Sequence, residues 1–101
     1  MDINTTTKRM IATGEVEFGS KKALQYMMDG KAKLVITSKN CPKGIKEDVE
    51  HYAKVSETPA IIYPGSSMEL GEICGKPFLV SNIAVLNPGD VKIKELTEVS
   101  G

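Results

Sequence analysis

Lysine is the residue type whose placement in this chain could do chemistry. Lys31, Lys33, Lys39, Lys43 and Lys46 follow one another with no Asp or Glu between them, and Lys21-Lys22 stand just upstream behind Gly19-Ser20. Acids come immediately afterwards, at Glu47, Asp48, Glu50 and Glu57, and the whole chain balances 13 Lys and Arg against 13 Asp and Glu. A polyanion responds to the local field and not to the total charge, so a formal net charge of zero leaves a phosphate chain open as a partner.

Three further segments bear on that chemistry. Gly19 has no side chain, so a ligand backbone can come close to a helix start whose free amides point outward, while Lys21 and Lys22 supply mobile cations. The second glycine of a Gly-x-x-x-x-Gly-Lys-Ser/Thr nucleotide loop is missing. Asn40, between Lys39 and Lys43, carries an amide able to read a base edge; on this segment alone the simpler reading, a turn before Pro42, leads. Phe78-Leu79-Val80 reads two ways. As strand, Phe78 and Val80 share one buried face; as loop, the three form an apolar platform suited to an unstacked base.

Catalytic and metal chemistry are poorly served. Ser, His and carboxylate do not come together in any recognisable local pattern, and the acids read most simply as a solvated helix start. Cys41 and Cys74 lack the spacing of a metal knuckle or redox pair, and a disulfide is disfavoured in a reducing compartment. With the single His51 they make three soft ligands at most, fewer than a structural zinc site uses. No enzyme activity, metal or cofactor is expected.

These residues need a frame to hold them. The 101 residues, 41% hydrophobic and 26% charged, suit one soluble domain with one core. The longest apolar runs, Leu34-Val35-Ile36 and Ile83-Ala84-Val85-Leu86, are strand-sized and well short of a membrane span. Nor does the N-terminus read as a secretory signal, so the cytoplasm is the expected compartment.

Ile3, Met10 and Ile11 predict a first helix stopped by Gly14, and Val16 and Phe18 a short strand. Ala23, Leu24, Met27 and Met28 form the inward stripe of a second helix between Gly19-Ser20 and Gly30. Residues 34–37 read as a buried strand, 38–44 as a polar loop, and Ile45, Val49, Tyr52 and Ala53 as one face of a third helix. Ala60-Ile61-Ile62-Tyr63 is a third strand, and Ser66-x-x-Glu69 is a capping box ahead of a short helix burying Leu70, Ile73 and Cys74. A fourth strand over residues 83–86 ends at Asn87-Pro88-Gly89-Asp90, and residues 91–96 read equally as strand or short helix.

Alternating helix and strand predict a single-domain three-layer α/β/α sandwich on a four-stranded mixed sheet. Loops at one edge of such a sheet gather ligands, so the 19–22 turn and the 38–46 loop should be neighbours and bring most of the excess lysines into one patch.

Taken together, several segments resemble a known family. These are Gly-x-Lys at 19–21, Asn40-Cys41-Pro42 before a helix containing Lys46-Glu47-Asp48-Val49-Glu50-His51-Tyr52-Ala53, and Ser67-Met68-Glu69-Leu70-Gly71 followed by Gly75-Lys76-Pro77. They resemble the kink-turn-binding ribosomal proteins shared by archaea and eukaryotes, from Gly14 to Gly89. The resemblance implies a non-catalytic constituent of the large ribosomal subunit that grips a sharply bent RNA internal loop built on tandem sheared G·A pairs.

On that resemblance the RNA contacts fall on Gly19, Ser20 and Lys21, on Asn40, and on Phe78, Leu79, Val80 and Ser81. Lys22, Lys43 and Lys46 join them as phosphate contacts on charge grounds. The implied partners are ribosomal RNA and other large-subunit components, with no membrane and no small-molecule substrate, and the free protein is expected to be monomeric. Relatives serving several small ribonucleoproteins carry Asn-Glu where this chain has Ser20-Lys21, which favours the ribosomal role. Some ribosomal members have glycine at the position of Ser81.

The alternative within the same fold is a kink-turn-binding component of another ribonucleoprotein, or a regulator of its own message. From other classes, the rivals are a small enzyme holding a metabolite phosphate at the Gly19 turn and a protein–protein adaptor.

Overall fold

The computed structural model describes residues 3–89 and residue 91. Four helices and four strands alternate in the order α1 (Ile3–Thr13), β1 (Glu15–Phe18), α2 (Ser20–Met28), β2 (Leu34–Ser38), α3 (Lys43–Ser56), β3 (Ala60–Tyr63), α4 (Ser67–Ile73) and β4 (Asn82–Asn87). The Gly14 amide donates to the Met10 carbonyl at 2.8 Å and closes α1, as its position predicts. At α4 the Ser66 hydroxyl accepts from the Glu69 amide at 3.2 Å, the first half of the expected capping box.

The sheet order is β1-β4-β2-β3, with β2 and β3 parallel and β4 antiparallel to both β1 and β2. It follows that β1, β2 and β3 all run the same way and β4 runs against them. The segments leaving β1, β2 and β3 and the segment entering β4 therefore meet at one edge of the sheet.

Helices cover both faces, so the three layers are present. On one side Met10 of α1 and Leu70 of α4 pack with Leu34, Ile36, Ile83 and Val85. On the other, Ala23 and Met27 of α2 and Val49 and Ala53 of α3 pack with Val35 and Ala84. Alternate residues of one strand serve opposite faces, and both faces of β2 are buried, which is why Leu34-Val35-Ile36 is a continuous apolar run without polar alternation.

Two expectations are corrected. Met28 is 66% exposed, because α2 ends there and the buried line runs through Ala23 and Met27, with Leu24 at its margin. Helix α3 begins at Lys43 directly after Pro42, so Glu47, Asp48 and Glu50 lie beyond its first turn, which contains no acid. Proline restricts the residue before it and suits a helix start, so the helix reaches back to that point. The Ile3 side chain, Asp90 and the tail after Val91 lie outside the described residues.

Candidate nucleic-acid interface

Two helix starts at the shared edge are built against their own stability. Helix α2 opens with Ser20-Lys21-Lys22 and α3 with Lys43-Gly44-Ile45-Lys46, and neither has an acid in its first turn or a side-chain cap. A helix N-terminus carries partial positive charge and unpaired amides, so lysines there cost about 0.3–1 kcal/mol each unless an anion is present. Helix α4 follows the opposite pattern, with the Ser66 cap and Glu69 in its first turn. The two starts left uncapped and basic are those that follow β1 and β2.

Gly19 makes the first of them possible. It adopts φ 112°, a conformation that side chains disfavour, and open space lies where a Cβ would stand. Its amide donates to the Asn82 carbonyl at 3.0 Å, and the Ser38 amide donates to the Ser81 carbonyl at 2.8 Å. The entry to β4 thus joins the turn after β1 to the loop after β2. These two segments are neighbours, as expected, but with β4 between them.

Polar side chains complete the joint. Asn82, fully buried, accepts from the Thr37 hydroxyl at 2.9 Å and donates through Nδ2 to Ser20 Oγ at 2.6 Å and to Cys41 Sγ at 3.7 Å. Asn40 is exposed, and its Oδ1 accepts from the Ser67 amide at 2.8 Å and the Ser38 hydroxyl at 3.2 Å. The carboxamide therefore ties the 39–42 loop to the start of α4. Its acceptor side is occupied internally, and the Nδ2 donors have no partner among the described residues. Sequence reasoning missed Asn82 and Thr37. The signal was slight, a polar residue near the end of one apolar strand and another at the start of a second, and that they meet follows from the register pairing Thr37 with Asn82.

The apolar rim is part loop and part core. β4 begins at Asn82, so Phe78-Leu79-Val80-Ser81 precede the strand. Phe78 is 54% and Leu79 67% exposed, and a groove of about 370 Å³ separates them from Phe18, Gly19 and Ser20. Val80 differs. Its amide donates to the Ser67 carbonyl at 3.1 Å and its side chain is buried in the core with Leu70 and Ile83, so the expected three-residue platform is reduced to Phe78 and Leu79.

The basic stretch divides between the two ends of the sheet. Lys21, Lys22, Lys39, Lys43 and Lys46 follow β1 or β2 and stand at the shared edge, whereas Lys31 and Lys33 precede β2 and stand at the opposite one. Lys22 is paired with Glu17 at 3.1 Å, and Lys43 lies 3.9 Å from Glu47. Lys21, Lys39 and Lys46 have no ion pair among the described residues. Both observed pairs are solvent-exposed, and such pairs hold a lysine by roughly 1 kcal/mol or less, so a phosphate can displace either carboxylate.

Beside the rim, the Lys76 ammonium lies 5.0 Å from the centre of the Phe18 ring. Burial pushes the Cys74 thiol up to about 11 from its usual 9.0, against the pull of Lys76. Alkylation of Cys74 at pH 8, followed by peptide mass mapping, should thus be about a hundredfold slower in the folded protein than in the unfolded chain, since only the thiolate reacts. The folded state holds this proton more tightly, so the group's contribution to stability is intact below pH 9 and lost as pH rises through about 11. Among the described residues no three His, Cys, Asp or Glu side chains gather to hold a metal, and no helix is long and apolar enough to cross a membrane.

Comparison with known proteins agrees with the resemblance carried by the motifs. The family model described as "Ribosomal protein L7Ae/L30e/S12e/Gadd45 family" matches residues 1–95. The chain is 45% identical over 96 residues to the large ribosomal subunit protein eL30 of Methanothermobacter thermautotrophicus, spanning 95% of this chain and 98% of that protein. It is 46% identical to the proteins of the same name from Methanobrevibacter smithii, over 92% of this chain and 94% of the relative, and Methanosphaera stadtmanae, over 97% and 100%. A match across nearly the whole fold, including every segment that builds the shared edge, means that this chain belongs to the ribosomal L7Ae/L30e/S12e/Gadd45 family.

Proposed function

We propose that the protein is a non-catalytic structural constituent of the large ribosomal subunit, the particle that the relatives' name places them in, and that its RNA ligand is a kink-turn. The observation that carries the reading is the shared edge itself. Two uncapped, lysine-bearing helix starts converge there with the free amide of Asn40 and the exposed Phe78 and Leu79. Phosphates can neutralise the helix starts, the amide can meet a base edge, and the apolar rim can receive a base that has left the stack.

A sharply bent internal loop offers all three ligands within a short span, whereas a regular RNA duplex keeps its bases stacked and presents chiefly phosphates and its shallow groove. The cationic patch is compact, so backbone tracking alone would give weak binding. A gel shift comparing kink-turn RNA with its fully paired counterpart tests this. Clear preference for the kinked RNA is expected, and equal affinity for the two would refute the reading.

Lysine substitutions separate a local site from a diffuse field. Lys21→Ala is expected to weaken kink-turn binding by about 1 kcal/mol and to lower the slope of log affinity against log salt by about one, the signature of one lost phosphate contact. Lys54, in the last turn of α3 at the far end of that helix, should be nearly silent when replaced by alanine. Comparable losses from the two variants would show that the field of the whole molecule holds the RNA.

A further inference from the structure

We propose that Asn82 is a positioning residue that sets Ser20 as a hydrogen-bond donor toward an acceptor oxygen or nitrogen of the RNA, a role that rests on the kink-turn reading. A carboxamide has two N–H donors and one oxygen acceptor. In Asn82 both sides are committed: the Thr37 hydroxyl donates to Oδ1 at 2.9 Å, while Nδ2 serves Ser20 Oγ at 2.6 Å and Cys41 Sγ at 3.7 Å. Its orientation is therefore determined from inside the protein.

That orientation passes to Ser20. A serine hydroxyl has one proton, and an oxygen that accepts from Asn82 must direct its own proton elsewhere. Ser20 is partly exposed and lines the groove facing Phe78 and Leu79, so the proton is presented where the ligand enters. The main chain of Asn82 reinforces the arrangement, because its carbonyl receives the Gly19 amide at 3.0 Å. One buried residue thus holds both the backbone and the side chain of the turn that opens α2.

Stability alone gives little reason for this residue. Asn82 begins a strand that continues Ile83-Ala84-Val85, all fully buried, and replacing both partners of a buried hydrogen bond by apolar groups of the same shape is often nearly neutral. What the network adds is a single direction for the Ser20 hydroxyl, since a fully satisfied buried network specifies one arrangement.

The test is a double-mutant cycle in affinity for kink-turn RNA, using the full chain and the fully paired RNA as control. Ser20→Ala should lose about tenfold, the cost of one hydrogen bond. Asn82→Ala and Thr37→Val should each lose severalfold in the wild-type background and nothing further in the Ser20→Ala background, because both act through that hydroxyl. Thr37→Ser, which restores the donor to Oδ1, should recover the affinity. Should Asn82→Ala fail to fold in an unfolding titration, the Thr37 variants carry the cycle.

Losses that add to that of Ser20→Ala, or a Thr37→Val protein with wild-type affinity, overturn the positioning role while kink-turn selectivity stands. Equal wild-type affinity for the kinked and paired RNAs overturns the kink-turn reading and this role with it.

Discussion

Phe78→Ala is expected to lower affinity for kink-turn RNA by roughly 1–3 kcal/mol, the range for one lost base–aromatic contact. Its folding stability should change by less than about 1 kcal/mol, since substitutions at exposed positions rarely cost more. Phe78 is 54% exposed and lies on a segment outside the sheet, so its ring leaves no core cavity when removed. Val80→Ala, two residues away, should do the reverse. Val80 is 2% exposed among Leu70, Ile83 and Val85, and its truncation should cost roughly 1–3 kcal/mol of stability with affinity unchanged where the variant is folded. An unfolding titration and an RNA titration on both variants decide the matter. A large stability loss for Phe78→Ala with intact affinity would assign that ring to the core and leave Asn40 and the lysines as the contacts.

Gly71→Ala should damage both properties at once. A Cβ at residue 71 would overlap the Phe78 carbonyl oxygen and come within 3.7 Å of the Val80 side chain, so α4 and the 78–81 loop can approach as they do only because residue 71 has none. Alanine is favoured over glycine in a helix by about 1 kcal/mol, yet overpacking against backbone typically costs 1–3 kcal/mol. Because the overlap is with backbone, the cost should lie toward the top of that range, and net destabilisation of up to about 2 kcal/mol is expected from these opposing terms. The loop can yield only by moving, which shifts Phe78 relative to Gly19 and Ser20, so affinity should fall by an amount approaching that of Phe78→Ala. Stability at or above wild type with normal RNA affinity would mean that the loop is not seated on α4.

The elements and the family were legible in local stretches of the chain. Helix stops at Gly14 and Gly30, the cap at Ser66 and the apolar runs of β2 and β4 are local signals, written in neighbouring residues and readable without any partner in space. The same is true of the motifs around Gly19, Asn40 and residues 67–77, which carry the resemblance to the family. Tertiary structure decided how these parts are used. The strand order puts β4 between β1 and β2, so the two basic helix starts meet across the entry to β4, while Lys31 and Lys33, continuous with the basic stretch in sequence, are sent to the opposite edge. Val80 and Phe78 look equivalent in the chain, and only packing against α4 buries one and exposes the other. Asn82 was the least legible of all. Its meaning lies in Thr37, Cys41 and Ser20, 41 to 62 residues away along the chain, and such distant pairings exist only once strand register brings them within hydrogen-bonding distance.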